Sequence, residues 1–232
     1  MNLCVIPARG GSKRIPRKNI RDFCGKPMIA WSIEAAIKSG LFEHIVVSTD
    51  DDEIAAVATS LGAEVPFRRP AELADDHIAT RPVVNHAIRE AEQRFGRPAH
   101  VCCIYPTAPL IQIDDLQRGL EQLIDSGSDF AFTVTRFAYP IQRALKLTES
   151  GRVAIFHPEH RKTRSQDLEE AYHDAGQFYW GRTEAFLEDR DTFSSLASPI
   201  VLPNWRVVDI DNHEDWDRAV TLFRALKSQE SP

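Results

Sequence analysis

The sequence predicts an α/β protein whose core is a mostly parallel, doubly wound sheet with helices on both faces, interrupted once by a β-hairpin excursion. Three observations predict it. Several short apolar runs are continuous rather than alternating, as in strands buried on both faces. Between them lie segments whose apolar residues recur with the 3.6-residue helical period. One region, 137–172, breaks that alternation with two short period-2 runs around a turn. Strands alternating with helices argue for parallel pairing through helical crossovers.

The elements follow in order. "NLCVI" (2–6) is the first buried strand, and a glycine- and base-rich loop follows it. Over 27–39, Ile29, Ile33, Ala36 and Ile37 share one helical face, and Pro27 suits a first turn. "HIVVST" (44–49) is the second strand. The carboxylates of "STDDDEI" (48–54) then stand at a strand end, where a helix N-terminus would account for them. Over 80–95, Val84, Ala87, Ile88, Ala91 and Phe95 form another helical face behind a cap at Thr80. "HVCCIY" (100–105) and "DFAFTVT" (129–135) are further strands, and "YPTAPL" (105–110) is a proline-rich turn suited to a pocket wall. In the excursion, "ALKL" and "RVAIF" flank an "ESGR" turn. A last helix, 212–227, faces inward with Trp216, Ala219, Val220 and Phe223 and is capped by Asn212. The organisation is one domain over 1–228, with 137–172 as a dimer or lid excursion and 229–232 as a frayed tail.

Composition narrows the function. The chain has 232 residues, 43% hydrophobic and 27% charged, with a net charge of -6, the balance of a globular domain with a core. An acidic protein of pI about 5.8 is a poor candidate for nucleic acid. The N-terminal apolar run is too short for a signal peptide, and no run approaches the roughly 20 residues that span a bilayer. Cys4, Cys102 and Cys103 lie in strand-like runs without metal-ligand spacing, so they read as buried, reduced thiols. A cytoplasmic protein is expected.

Against that acidic background, "IPARGGSKRIPRKNI" (6–20) collects Arg9, Lys13, Arg14, Arg17 and Lys18 around Gly10 and Gly11. Glycines admit close approach of backbone N–H groups, and Lys and Arg neutralise phosphate. A solvated basic loop would look similar. Its place at the carboxyl end of a buried first strand, where open α/β sheets bind nucleotides, favours a phosphate site. The spacing matches neither the Walker pattern nor G-x-G-x-x-G.

In "VVDIDNHEDW" (207–216), Asp209 and Asp211 alternate with Val208 and Ile210, so on a strand both carboxylates face one side. Two hard oxygen ligands suit Mg²⁺ bridging to phosphates. The other reading makes Asp211 an accessory of the helix cap and leaves Asp209 solvated. "YHDAGQFYWG" (172–181) joins His173, Asp174 and Gln177 to aromatics, as an acid/base pair or as polar partners of a hydroxylated ligand.

Together, "IPARGGSKRIPRKNI", "GKPMIAWSIEAA", "VVSTDDDEIAAVA", "RRPAELADD", "YPTAPL" and "DIDNHEDW" resemble the CMP-sialic acid synthetase (acylneuraminate cytidylyltransferase) family over nearly the whole chain. "SKRIPRKN", "YPIQRAL" and "TRSQDLEEAYHDAGQFYWG" are most similar to its branch acting on pseudaminic acid. Arg14 where sialic acid enzymes commonly carry Gly, and Tyr105 and Ile111 in place of their Gln and Arg, point away from N-acetylneuraminic acid.

The resemblance implies a Rossmann-like nucleotidyltransferase fold and a homodimer whose excursion reaches the neighbouring site. It implies transfer of CMP from CTP to the anomeric hydroxyl of a nine-carbon α-keto acid sugar, with Mg²⁺ as cofactor. Arg9, Gly10, Gly11, Ser12, Lys13, Lys18, Asn19 and Arg69 would hold CTP, with Arg9, Lys13 and Lys18 catalytic at the reacting phosphates and Asp209 catalytic in helping to deprotonate the attacking hydroxyl. Asp209 and Asp211 would hold the metal. Thr80, Tyr105, Arg164, His173, Asp174 and Gln177 would meet the sugar, Arg164 across the dimer interface. The alternatives are the same reaction on N-acetylneuraminic or legionaminic acid, and a non-catalytic nucleotide sensor.

Overall fold

A computed structural model describes residues 1–75 and 77–230. In chain order, β1 (Asn2–Pro7) leads through a basic loop to a small ribbon, β2 (Asp22–Phe23) and β3 (Lys26–Pro27). Then come α1 (Met28–Ser39), β4 (His44–Ser48), α2 (Asp52–Ser60), α3 (Thr80–Phe95) and β5 (His100–Ile104). They are followed by α4 (Ile113–Ser126), β6 (Phe130–Arg136) and the isolated hairpin of β7 (Leu145–Leu147) and β8 (Val153–Ile155). The described chain ends with β9 (Tyr172–Arg182), α5 (Thr183–Leu187), β10 (Ala197–Leu202) and α6 (His213–Glu230). Of the tail expected over 229–232, residues 231 and 232 lie outside the described residues.

Among the described residues the main sheet has the order β10-β6-β9-β5-β1-β4. β4 and β5 flank β1 in parallel, so Cys4 stands opposite Ile45 on one side and Cys102 on the other. β10 is parallel to β6, and β9 runs antiparallel between β5 and β6. The sheet is therefore mostly parallel, as the continuous apolar runs predict. The chain steps from β1 to β4 on one side and then to β5 on the other. That reversal makes the carboxyl end of β1 the topological switch point, where a crevice opens.

Both faces are covered. α1, α2 and α4 bring Ile29, Ile33, Ala58, Leu116 and Leu123 onto Cys4, Ile6, Val47 and Trp180. On the opposite face α3 and α5 bring Val84, Ile88, Ala91 and Phe186 onto Leu3, Val5, Val101 and Phe132. α6 packs elsewhere: Trp216, Ala219 and Phe223 close over Phe23, Met28, Ile210 and Ile15 of the basic loop. Cys4, Cys102 and Cys103 are buried and free, and burial pushes the Cys103 thiol up to about 12. No described helix is long and apolar enough to cross a membrane.

Several local expectations need correction. Thr80 opens α3, but the cap position is Ala79 and no side chain caps there; the Thr80 hydroxyl is instead hydrogen-bonded to Tyr105. Ile37 is 44% exposed because α1 turns it past the edge of the core. Residues 207–211 join no strand, since the Ile210 carbonyl accepts from Lys18 Nζ at 2.5 Å rather than from a neighbouring strand. The Asn212 cap does form: its Oδ1 accepts from Asp215 N at 3.1 Å, while Asp215 Oδ2 accepts from Asn212 N. The excursion hairpin pairs Leu145 with Ile155 and Leu147 with Val153.

Candidate active site

The basic loop is built on the switch point and pinned from below. Ile15 is fully buried in the α6 cluster. Arg17 takes a left-handed backbone (φ 58°) and sends its guanidinium to Asp51, at 2.5 and 3.0 Å, and to Glu53. Asp51 in turn caps α2, accepting from Glu53 N and Ile54 N at 3.0 Å. The Arg17 guanidinium, with those cap bonds, holds the Asp51 carboxyl at about 2. Gly10 is required by this packing, since a Cβ there would lie 2.5 Å from Asp51 Oδ2. Its N–H donates to Asp50 Oδ1 at 3.1 Å. Asn19 Nδ2 donates to the Arg9 carbonyl at 2.9 Å, closing the loop on itself.

Above this base lies a cleft of about 430 Å³, within the range of small-molecule sites. Arg9, Ser12, Lys13, Lys18, Asn19, Arg69, Thr80, Tyr105 and Asp211 all line it. Arg14, Asp75 and Thr107 line it too and were not assigned there from sequence, although Arg14 belongs to the same charge cluster. Arg69 is 4% exposed and hydrogen-bonds Ser48 through Nε at 3.2 Å and through a second nitrogen to the Ser48 carbonyl. Burial, partly offset by Asp50, lowers Arg69 to about 10. Even so it is charged at neutral pH, a desolvated cation aimed at a cleft, which suits an anionic ligand.

The acidic segment 207–211 meets the loop beside the cleft, which Asp211 lines and Asp209 does not. Arg14 pairs with Asp211 at 2.7 Å. Lys18 is lowered by burial, while Asp211 and Asp209 act on it in the opposite sense. Asp209 is raised, first by desolvation and then by the Asp211 charge. Two carboxylates two residues apart with only part of their charge balanced fit a hard divalent cation that draws its other ligands from phosphate and water. Among the described residues no cluster of three or more His, Cys, Asp or Glu offers a self-sufficient metal cage.

A second cavity of about 410 Å³ adjoins the first, with Thr80 and Tyr105 common to both. Asp174, Tyr179 and Arg81 line it. Tyr179 donates to Asp174 Oδ2 at 2.5 Å. Burial raises both the Tyr105 and the Tyr179 phenol, so each remains a protonated donor at neutral pH. His173 Nδ1 bonds the Asp174 carbonyl at 2.9 Å, and its ring packs on Phe137, so no His173–Asp174 carboxylate pair forms. His173, Gln177 and Arg164 line neither cavity. Gln177 is 3% exposed, and exposed Arg164 pairs with Asp167 at 2.7 Å within the excursion.

Comparison with known proteins agrees with this geometry. Residues 3–225 match the model of the family described as cytidylyltransferase. The chain is 49% identical over 223 residues to a pseudaminic acid cytidylyltransferase of Campylobacter jejuni subsp. jejuni serotype O:2, covering 96% of both chains. It is 32% identical to a CMP-N,N'-diacetyllegionaminic acid synthase of Legionella pneumophila subsp. pneumophila, covering 92% of each. A solved CMP:2-keto-3-deoxy-manno-octonic acid synthetase complexed with CTP shares the fold, with a TM-score of 0.69 at 18% identity over 99% of each chain.

Proposed function

The chain belongs to the cytidylyltransferase family, and from that premise we propose that it transfers CMP from CTP to the anomeric hydroxyl of pseudaminic acid, releasing pyrophosphate. The observation that carries the reaction is the meeting of the basic loop and the acidic segment at one cleft, at the switch point of the sheet. The choice of sugar rests on the high identity to the Campylobacter jejuni enzyme.

In this reading the triphosphate lies along Arg9, Ser12, Lys13 and Lys18, with Arg69 as the buried cation beneath it. The sugar hydroxyl attacks the α-phosphorus in line; a P–O bond to the sugar forms as the P–O bond to pyrophosphate breaks. Lys13 and Lys18 stabilise the charge that gathers on the departing oxygens. Asp209, raised by its surroundings, accepts the hydroxyl proton. Asp209 and Asp211 would hold Mg²⁺, which when bound supplies charge neutralisation and lowers the hydroxyl's pKa. The sugar extends past Thr80 and Tyr105 into the second cavity, toward Asp174. A cytoplasmic site of action suits a reaction that draws on CTP.

The excursion supports a homodimer. It exposes Tyr139, Leu145, Leu147, Val153 and Phe156, an apolar surface that a second copy would cover. Arg164 on that element could then reach a neighbouring sugar carboxylate.

The test is pyrophosphate release from CTP and Mg²⁺ with pseudaminic, legionaminic and N-acetylneuraminic acids in parallel. Release with pseudaminic acid is expected. Release with another of the three alone would keep the reaction and replace the sugar. Silence with all three from folded protein would overturn catalysis and favour a nucleotide sensor.

A further inference from the structure

Residues 207–211 carry both carboxylates that the proposed reaction needs, yet no sheet hydrogen bonds hold them. The segment is fixed by side chains instead. At its far end Asn212 and Asp215 bond reciprocally, and in its middle Lys18 holds the Ile210 carbonyl. At its near end the bonds converge on Arg206. The guanidinium donates to Asp115 Oδ2 of α4 at 2.6 Å, with the two side chains 14% and 4% exposed. Gln177 Nε2, from β9, donates to the Arg206 backbone carbonyl at 2.6 Å. Val207, the next residue, is buried against Ala175, Ile200 and Leu202.

Neither arrangement is what stability alone would favour. A buried ion pair can often be replaced by packed apolar residues without loss. Gln177 Oε1 is buried with no hydrogen-bond partner, a penalty that an apolar side chain would avoid. Polar groups from two separate elements nonetheless meet at the one residue that introduces the acidic segment. We propose that Arg206, gripped by Asp115 and Gln177, is a positioning residue that sets where Asp209 and Asp211 stand against the cleft.

This inference rests on the reading of Asp209 and Asp211 as the metal-holding pair. It gives Gln177 a role in aiming the segment instead of touching sugar. Because the grip lies at one end of 207–211, loosening it should disturb the carboxylates and spare the loop that holds the nucleotide.

The test is the double variant Asp115→Leu with Arg206→Met, which removes the ion pair and leaves no buried charge without its partner. A second variant, Gln177→Met, removes only the bond to the Arg206 carbonyl. Three readouts are compared with the parent protein: thermal unfolding, CTP affinity without metal, and Mn²⁺ bound to the protein–CTP complex, counted by loss of the free-ion EPR signal. Melting and metal-free CTP affinity should hold, the latter within about twofold, while Mn²⁺ affinity falls about tenfold or more. The Mg²⁺ concentration that half-saturates pyrophosphate release should rise in step.

A stable variant with the parent's Mn²⁺ and Mg²⁺ curves would overturn the proposal, because a purely structural grip predicts that outcome. If the double variant does not fold, the same comparison on Gln177→Met decides. A parent protein that binds Mn²⁺ with CTP but releases no pyrophosphate with any sugar would sink the functional reading. The Mn²⁺ comparison would still judge the grip.

Discussion

The basic loop 8–20 and the excursion 137–171 are both irregular and both rich in Arg and Lys, and they are held in opposite ways. The loop sinks Ile15 into the α6 cluster, ties Arg17 to the cap of α2 and ties Arg14 to Asp211. Its remaining cations face one cleft. The excursion ties Arg164 to Asp167 three residues away and Glu170 to Arg136 at the end of β6, and it leaves Leu147 77% exposed. Clustered charge alone therefore does not make a site. What separates the two regions is a base anchored to distant elements, Asp51 of the α2 cap and the α6 cluster, which holds several cations along one cleft.

The largest expected effect lies where loop and acidic segment meet. Asp209→Asn should lower kcat by about a thousandfold, the loss of several kcal/mol of charge stabilisation, with folding unchanged. Steady-state pyrophosphate release measures it. Activity near the parent level would put the metal elsewhere and break the comparison, because the loop would then act without its acidic partner. Next comes Lys18→Ala, expected to lower kcat by about a hundredfold. Lys18 also holds the Ile210 carbonyl, so half-saturation by Mg²⁺ should rise in the same variant. A kcat loss with an unaltered Mg²⁺ curve would leave Lys18 acting on phosphate alone.

The excursion is tested by its own surface. Leu147 and Val153 are cross-strand partners, so Leu147→Lys with Val153→Glu replaces exposed apolar area by a facing ion pair and keeps the hairpin. Sedimentation velocity should show self-association weakened by about thirtyfold or more, the effect of losing a contact hot spot. Metal-free CTP binding should be untouched. Parent protein that sediments as a monomer at every concentration would remove the dimer and with it any role for Arg164 in a neighbouring site.

The same contrast explains how much was legible in the sequence. The runs that became β1, β4, β5 and β6 are continuous and apolar because both faces of the sheet are covered, so their pattern is local and readable. β9 was harder to recognise. Gly176, at φ +61°, lies where the register against β6 shifts, and Gly181 has Phe130 and Phe186 where a Cβ would stand. Both glycines argue against a strand until the neighbouring elements are in place. The loop cations were legible as a site because their charge conflicts with an acidic protein, Asp211 because it alternates with Asp209, and Arg69 only through the family resemblance. The bond of Gln177 to Arg206 and that of Arg206 to Asp115 were not, since the partners lie 29 and 91 residues apart in the chain and no local pattern announces the pairing.

The smallest effect probes the base of the loop itself. Asp51 is held at about 2 by Arg17 and by the cap bonds of α2, below the ordinary carboxylate value of 3.8. A depressed carboxyl stabilises the fold fully above its unfolded value, and that contribution is lost as pH falls from about 4 toward 2. With the side chain partly solvated, Asp51→Asn should cost about 1–2 kcal/mol at pH 7, a deficit that shrinks at acid pH. Urea unfolding at pH 7 and at pH 3 measures the difference. A deficit of equal size at both would mean that the hydrogen bonds accepted by the Asp51 oxygens, and not their charge, fix the loop. Because Arg17 would keep only Glu53 as a charged partner, the KM for CTP should also rise by a small factor while kcat holds, the signature of binding lost equally from ground and transition states. A fall in kcat instead would mean that the base of the loop aims Lys13 and Lys18 during the reaction as well as holding the nucleotide before it.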